Sequence, residues 1–314
     1  MMESAAIIDL GTNTFHLLLV EKHPETRFII KEKITEPVKL GKGGIHKKTI
    51  IPEAFARGIV ALEKFADILR DYDNIPVFAF GTSALRDAKN SGEFIKEAKE
   101  KTGINIKVIT GKEEALLIHK GVKMAFPTLP MPAFILDIGG GSAEIIMTNG
   151  DEIDFAETFD IGASRLLGLF NPSDPISEDE ILEIKSFLKV KLQPAINNAN
   201  FLGDVHLIGS SGSFETFAEI LYSRGEIDIN PLSRSFLPLP MAGLTKIFDE
   251  LVKANYDQRM KIPGMAIMRV EMIVMAVLIT QVILENTRVS QVWLSDYAMK
   301  EGMITSILED GSII

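Results

Sequence analysis

Acids and glycines fall together at two places in this chain. In AFILDIGGGSAEIIM (residues 133–147), Asp137 closes an apolar run, Gly139, Gly140, Gly141 and Ser142 follow, and Glu144 lies in the next apolar run. In AIIDLGTNTFHLLLV (6–20), Asp9 stands in the matching place, and Gly11, Asn13 and Thr14 fill the turn. Glycine lets the backbone approach a ligand closely, and successive amides in such a turn form a nest for an anion. Carboxylates at the rim are suited to a hard divalent cation or to proton transfer. The same pattern also describes a plain tight turn, and one glycine run does not choose between the two.

Two further loops bear on that choice. GTSALRDA (81–88) follows a strand-like run and carries Ser83 and Arg86, whose guanidinium could fork two phosphate oxygens or pair with Asp87 or another nearby acid. GSSGSFET (209–216) follows another such run and opens a helix, so Ser211, Gly212 and Ser213 would present amides at a positive helix end. Glu113 and Glu114 begin a third helix, where acids ordinarily complement the dipole. His16 alternates with apolar neighbours and reads as a packed or turn-bonded side chain. Lys39, Lys42, Lys47 and Lys48 share a glycine-containing segment, either a solvated surface or a guide for a polyanionic tail.

The elements that must position these residues form a repeat. The two glycine hairpins are 128 residues apart, counted from Asp9 to Asp137 (137 − 9). Each glycine turn leads into a strand rather than a helix, which removes the dinucleotide-binding fold, and no Gly-Lys-Ser/Thr follows, which removes the nucleotide P-loop. After the first hairpin come a strand in RFIIKEKITEPVKL and a helix from Pro52 with Phe55, Ile59, Leu62, Phe65 and Leu69 at helical spacing. Strand 75–80, a helix around 92–101, strand 104–109 and a helix from Lys112 complete the half. The second hairpin is followed by strand 152–161, a helix opened by the capping box Ser177–Glu180, strand 204–209, further helices and strand 289–294. Both halves read β-β-β-α-β-α-β-α. The sequence therefore predicts an α/β protein of two similar domains, 1–126 and 127–296, parted near the proline-containing stretch 126–132. A last helix within 297–314 could pack on the first domain.

Composition excludes several classes. The 314 residues contain no cysteine, so disulfides, thiolate metal sites and cysteine nucleophiles are absent. A formal net charge of −10 argues against broad nucleic-acid binding and against long-range steering of a polyanion. Arg269, Glu271, Thr280 and Gln281 interrupt the greasiest stretch, 266–284, which reads as a buried helix rather than a membrane span. The opening MMESAAIIDL has no secretory signal, so a cytoplasmic protein with no membrane partner is expected.

These residues together resemble the exopolyphosphatase and guanosine pentaphosphate phosphohydrolase (Ppx/GppA) family. DLGTNTFHLLL, GTSALRDAKN, TGINIKVITGKEEALLIHKGV, DIGGGSAE, GSSGS, IPGMAIMR and SDYAMKEG match its motifs in order over nearly the whole chain. The resemblance implies two similar actin-like (ribonuclease H-like) domains, each a mixed five-stranded sheet flanked by helices, with a cleft between them. It implies the short two-domain form, without the extra helical domains that hold long polyphosphate, and a homodimer. Departures stand at Ala143, Ala298 and Lys300, where the family usually has Thr, Gly and Arg.

The implied chemistry is hydrolysis of a terminal phosphoanhydride. It needs a positioned water, stabilised phosphoryl oxygens and a neutralised leaving group. By the resemblance, Glu114 is the catalytic acid that orients the water and Glu144 shares that task. Asp137 and Glu144, with Asp9 as a further candidate, would place Mg²⁺ or Mn²⁺. Asn13, Thr14, Ser83, Arg86, Gly139–Ser142 and Ser211–Ser213 would hold phosphate. The expected substrate is inorganic polyphosphate, with guanosine pentaphosphate (pppGpp) as the close alternative. A sugar-kinase-like ATP phosphotransferase and a non-catalytic phosphate sensor are the competing classes.

Overall fold

The computed structural model describes residues 2–72, 74–150 and 152–311. The chain divides into two compact units, Met1–Leu117 with Met299–Ile314, and Ile118–Ala298.

In the first unit β1 (Ser4–Leu10) and β2 (Phe15–His23) form the first glycine hairpin, and β3 (Arg27–Glu36) pairs antiparallel with β2. Helix α1 (Pro52–Leu69) leads to β4 (Val77–Gly81), which runs parallel to β1. The short α2 (Ser83–Asp87), then α3 (Ser91–Thr102), precede β5 (Ile106–Val108), giving the order β3-β2-β1-β4-β5. Ala5–Leu10 of β1 is buried throughout, as expected of a central strand covered on both faces. Pro52 occupies the first turn of α1, and Ala54, Ile59, Leu62 and Phe65 form its buried stripe. The units divide inside α4 (Gly111–Ala125), between Leu117 and Ile118, and not at the prolines of 126–132.

The second unit repeats the arrangement. Strands β6 (Ala133–Ile138), β7 (Ala143–Thr148) and β8 (Ile153–Phe159) are antiparallel neighbours. Helices α5 (Ala163–Phe170), α6 (Glu178–Lys191) and α7 (Gln193–Leu202) lead to β9 (Asp204–Ser210), parallel to β6. Helix α8 (Ser211–Ser223), β10 (Phe236–Leu239), α9 (Met241–Lys253), α10 (Tyr256–Arg259) and α11 (Ile273–Asn286) precede β11 (Arg288–Ser295). The order β8-β7-β6-β9-β11 repeats that of the first sheet. β10 adds a sixth strand at the edge, antiparallel to β11, where five were expected. Pro238 hid it in the sequence; proline gives no ladder donor and is confined to edge strands. The expected final helix is shorter: α12 (Met299–Thr305) continues as one π-helical stretch, Ser306–Asp310, and belongs to the first unit. The expected capping box is formed, Ser177 accepting from Glu180 N and Glu180 from Ser177 N. The greasy stretch yields α11, buried along most of its length, and no described helix is long and apolar enough to cross a membrane.

Candidate active site

In the first unit the DLGTNT turn is closed by Gly11 N donating to Thr14 O at 3.0 Å, with Asp9 opposite His16 in the ladder. His16 is turn-bonded, as the sequence suggested. Its Nε2 lies 3.1 Å from Thr14 Oγ1 and its Nδ1 2.9 Å from Thr35 Oγ1. Asn13 and Thr14 therefore sit in a turn of fixed geometry. Asp9 is buried beside them.

Strand β4 ends at Gly81, and α2 starts at once, with Ser83 buried in its first turn. This tight strand-to-helix step carries Arg86 to the start of α4. Arg86 Nη1 donates to Glu114 Oε2 at 2.7 Å and to Ile109 O at 3.3 Å. The pair is largely shielded, with side-chain exposures of 19% and 9%. Arg86 thus meets Glu114, and the two residues expected to bind phosphate and orient water are in direct contact.

The neighbouring acid has a different task. Glu113 accepts from Thr110 N at 2.7 Å, and Thr110 Oγ1 accepts from Glu113 N at 3.1 Å, a reciprocal cap on α4. The Thr110 backbone hydrogen bond, aided by the Thr110 hydroxyl and Lys107, holds the Glu113 carboxyl below the usual carboxylate range against the opposing effect of burial. Of the two adjacent acids, one caps the helix and the other holds the arginine.

In the second unit Asp137 and Glu144 are directly opposed across the β6–β7 hairpin. Both are buried, so Glu144 is not the solvated strand residue that one reading of the sequence allowed. The Asp137 carboxylate accepts from Ser210 Oγ and Ser211 Oγ, each at 2.7 Å. It ties the triple-glycine hairpin to the start of α8, which engages the Ser211 hydroxyl internally. The triple-glycine turn is closed by Gly139 N to Ser142 O at 3.0 Å. Its carbonyls are taken by the start of α5: Ala163 N donates to Gly139 O, and Ser164 N and Arg165 N to Gly140 O. Arg165 Nε donates to Gly141 O at 2.6 Å. With its acceptors engaged, the turn offers its amides. Gly162 permits this packing, since a Cβ there would stand 2.4 Å from Gly141 C and Ser142 N.

Helix α8 opens without a side-chain cap, and Ser211 adopts the left-handed conformation (φ 66°) as the chain turns into it. The amides of Ser211, Gly212 and Ser213 belong to this uncapped first turn, an anion-binding arrangement. Arg269 completes the group. Its guanidinium lies against Gly212, where a Cβ would meet Nη2 at 2.1 Å. Burial pushes the Arg269 pKa down, while Glu215 and Asp137 favour its charge. In the sequence Arg269 interrupts a greasy run and ends the motif IPGMAIMR, but it is not among the expected site residues. A lone cation inside such a run, closing a matching motif, was the signal available. Arg165 and Gly162 were missed as well, because α5 was not foreseen.

Each unit therefore carries a glycine hairpin with a buried acid beside it, and anion-binding groups at the following strand ends. This is the actin-like (ribonuclease H-like) fold. The Ppx/GppA phosphatase family model matches residues 19–310, and the chain belongs to that family. The crystal structure of an exopolyphosphatase from Cytophaga hutchinsonii is 33% identical, covers 99% of each chain and superposes with a TM-score of 0.93. The Aquifex aeolicus family member shares the fold at 21% identity and a TM-score of 0.79, over 98% of each chain. A guanosine-5'-triphosphate,3'-diphosphate pyrophosphatase of Vibrio cholerae serotype O1 is 28% identical over 305 residues. That match takes in 97% of this chain but only 59% of the relative.

Proposed function

We propose that this chain is a cytoplasmic exopolyphosphatase that hydrolyses the terminal phosphoanhydride of inorganic polyphosphate and releases orthophosphate. The observation that carries the reading is the shielded Arg86–Glu114 pair at 2.7 Å in a member of a phosphatase family. The anion-binding groups take the terminal phosphoryl oxygens, and Arg86 forks onto them. Glu114 accepts a proton from the attacking water as its oxygen bonds to phosphorus. The bridging P–O bond breaks, and the shortened chain leaves with the electron pair. Glu144 and Asp137 line the second unit's turn; as anions they offset no phosphate charge themselves, and their part would be to hold a divalent cation.

Among the described residues no group of three or more His, Asp or Glu could hold a metal ion. Both oxygens of Asp137 already accept serine hydroxyls. A closed protein cage is thus not the fit; the buried carboxylates of Asp137 and Glu144 would suit Mg²⁺ (or Mn²⁺) that keeps most of its waters, with Asp9 of the first unit a separate candidate. When bound, that ion would neutralise charge on the leaving phosphates.

A second reading is hydrolysis of pppGpp to the tetraphosphate, favoured by the activity for which the Vibrio cholerae relative is named. Orthophosphate release from short and long polyphosphate, pppGpp and ATP, each with Mg²⁺ and with chelator, tests both readings. Release from polyphosphate without any acceptor supports the hydrolase, whereas turnover only with a sugar acceptor refutes it.

A further inference from the structure

The ten residues Lys39–Lys48 read KLGKGGIHKK, with four lysines, one histidine and no acid, in a chain of net charge −10. A solvated loop would be the ordinary expectation. Instead the loop is fastened at both ends to candidate phosphate segments of its own unit. Lys39 N donates to Asn13 O at 2.7 Å and Gly41 N to Thr12 O at 3.0 Å, which seats the start of the loop on the first glycine turn. Lys89 N donates to Lys48 O at 2.9 Å, and the Asn90 amide group bridges Ile50 N and Ile50 O at 2.9 Å each. The far end is thereby held to the segment that follows Arg86.

The middle is equally fixed. Ile45 N donates to Gly41 O and Thr49 N to Gly44 O, and a Cβ at Gly44 would stand 2.1 Å from Thr49 O. Arg57 binds Val38 O and Lys39 O from α1. Lys39 (φ 48°) and Lys48 (φ 54°) both adopt the left-handed conformation. Glycine or asparagine occupies that region at lower cost, yet lysine stands at both positions. A long loop with its own hydrogen bonds and such backbone outliers is characteristic of functional rather than connecting segments.

We propose that this loop is a second phosphate subsite. Its exposed Lys42, Lys47 and Lys48 take phosphates beyond those held at the Gly11–Thr14 turn and Arg86, and so set the preference for long chains. Lysine suits the task, because a flexible point charge can follow a repeating anion without a fixed register. The proposal rests on the polyphosphate reading above.

The test is the triple variant Lys42→Gln/Lys47→Gln/Lys48→Gln against wild type, on tripolyphosphate and on long-chain polyphosphate, at two salt concentrations. The ratio of kcat/KM on long to short chains should fall about tenfold, because three exposed charge contacts contribute roughly a factor of two each. The salt dependence on long chains should also become shallower. An unchanged ratio and salt slope would overturn the subsite, even with full activity on both substrates. If the triple variant melts early, the three single variants carry the comparison, each lowering the ratio about twofold. Should wild type hydrolyse neither substrate, the hydrolase reading falls and calorimetric titration with long-chain polyphosphate decides the subsite. Weakened binding in the variant then supports it, and equal binding overturns it.

Discussion

Replacing Glu114 by glutamine separates its two possible tasks. The side chain accepts from Arg86 Nη1 at 2.7 Å, in a pair with exposures of only 19% and 9%. Glutamine keeps an oxygen for that hydrogen bond but cannot take a proton from water. Losing the charge weakens a charge-assisted bond to an ordinary one, a cost of about 1–2 kcal/mol. At roughly 2–4 °C per kcal/mol for domains of this size, Tm should drop by only a few degrees. Alanine would confuse the result, because removing one partner of a shielded ion pair costs about 3–5 kcal/mol. Loss of a positioned base costs about 10²–10⁴ in rate, so kcat for orthophosphate release should fall roughly a thousandfold, about 4 kcal/mol of barrier. KM should change little, since Arg86 stays in place. Orthophosphate release at saturating polyphosphate, run beside a thermal melt, gives both quantities. A Glu114→Gln enzyme with kcat within tenfold of wild type would show that Glu114 merely holds Arg86, and the assignment of the water-orienting acid would be wrong.

Four further outcomes follow from the geometry. Arg86→Lys should raise KM by about tenfold, because a lysine keeps the charge and loses the fork; Arg86→Ala should also lower Tm, as it removes the ion pair with Glu114, so unchanged melting in that variant would contradict the ion pair. Removing divalent cations with chelator should abolish orthophosphate release, with recovery on adding Mg²⁺; activity that survives chelation would rule out the metal role. Gly162→Ala should cost more activity than Gly212→Ala, because its Cβ meets main-chain atoms at 2.4 Å whereas Gly212 meets the movable end of Arg269; kinetics of the two variants, with melts as control, check the order. The Glu180 carboxyl is held down to about 2 by hydrogen bonds from the Ser173 hydroxyl and the Ser177 and Ser173 amides. A depressed folded pKa stabilises above the unfolded value of 4.5 and is lost as pH falls from there toward 2, so the Tm advantage of wild type over Glu180→Gln should shrink across that window.

Much of this was legible in the sequence where the signal is local. The two hairpins announce themselves because an apolar run, an acid, a glycine turn and a second apolar run are contiguous. Both fold as hairpins, and the structure adds the register, Asp9 opposite His16 and Asp137 opposite Glu144. The α6 cap was legible for the same reason, two residues three apart. What failed was long-range or disguised. β10 carries a proline. Helix α5 hides in IGASRLLGLFNPSDP, where Gly162, Gly168 and Pro172 read as loop. The residues alone left Glu113 and Glu114 alike, and the resemblance chose Glu114; the contacts that set them apart, with Arg86, 28 residues away from Glu114, and with Thr110, are not written in the two acids themselves. Arg269 acquires meaning only against Gly212, which lies in a different element.

The duplicated turns also share a device that neither local sequence contains. In the first unit the carbonyls of Thr12, Asn13 and Thr14 accept from Gly41 N, Lys39 N and Gly11 N. In the second, those of Gly139, Gly140, Gly141 and Ser142 accept from Ala163 N, Ser164 N and Arg165 N, Arg165 Nε and Gly139 N. Apart from the turn-closing glycine amide, the donors come in both cases from the segment that follows the third strand of the sheet, although one is a lysine-rich loop and the other a helix start. A backbone turn has as many acceptors as donors, and an anion is repelled by the former. Engaging the carbonyls from behind leaves amides as the groups the turn can offer, which glycine content alone does not achieve. Glycines make close approach possible, and the buttressing segment gives the turn its sign. One bracing segment is a lysine-rich loop and the other a helix start, so the device depends on where the donors stand and not on the element that carries them.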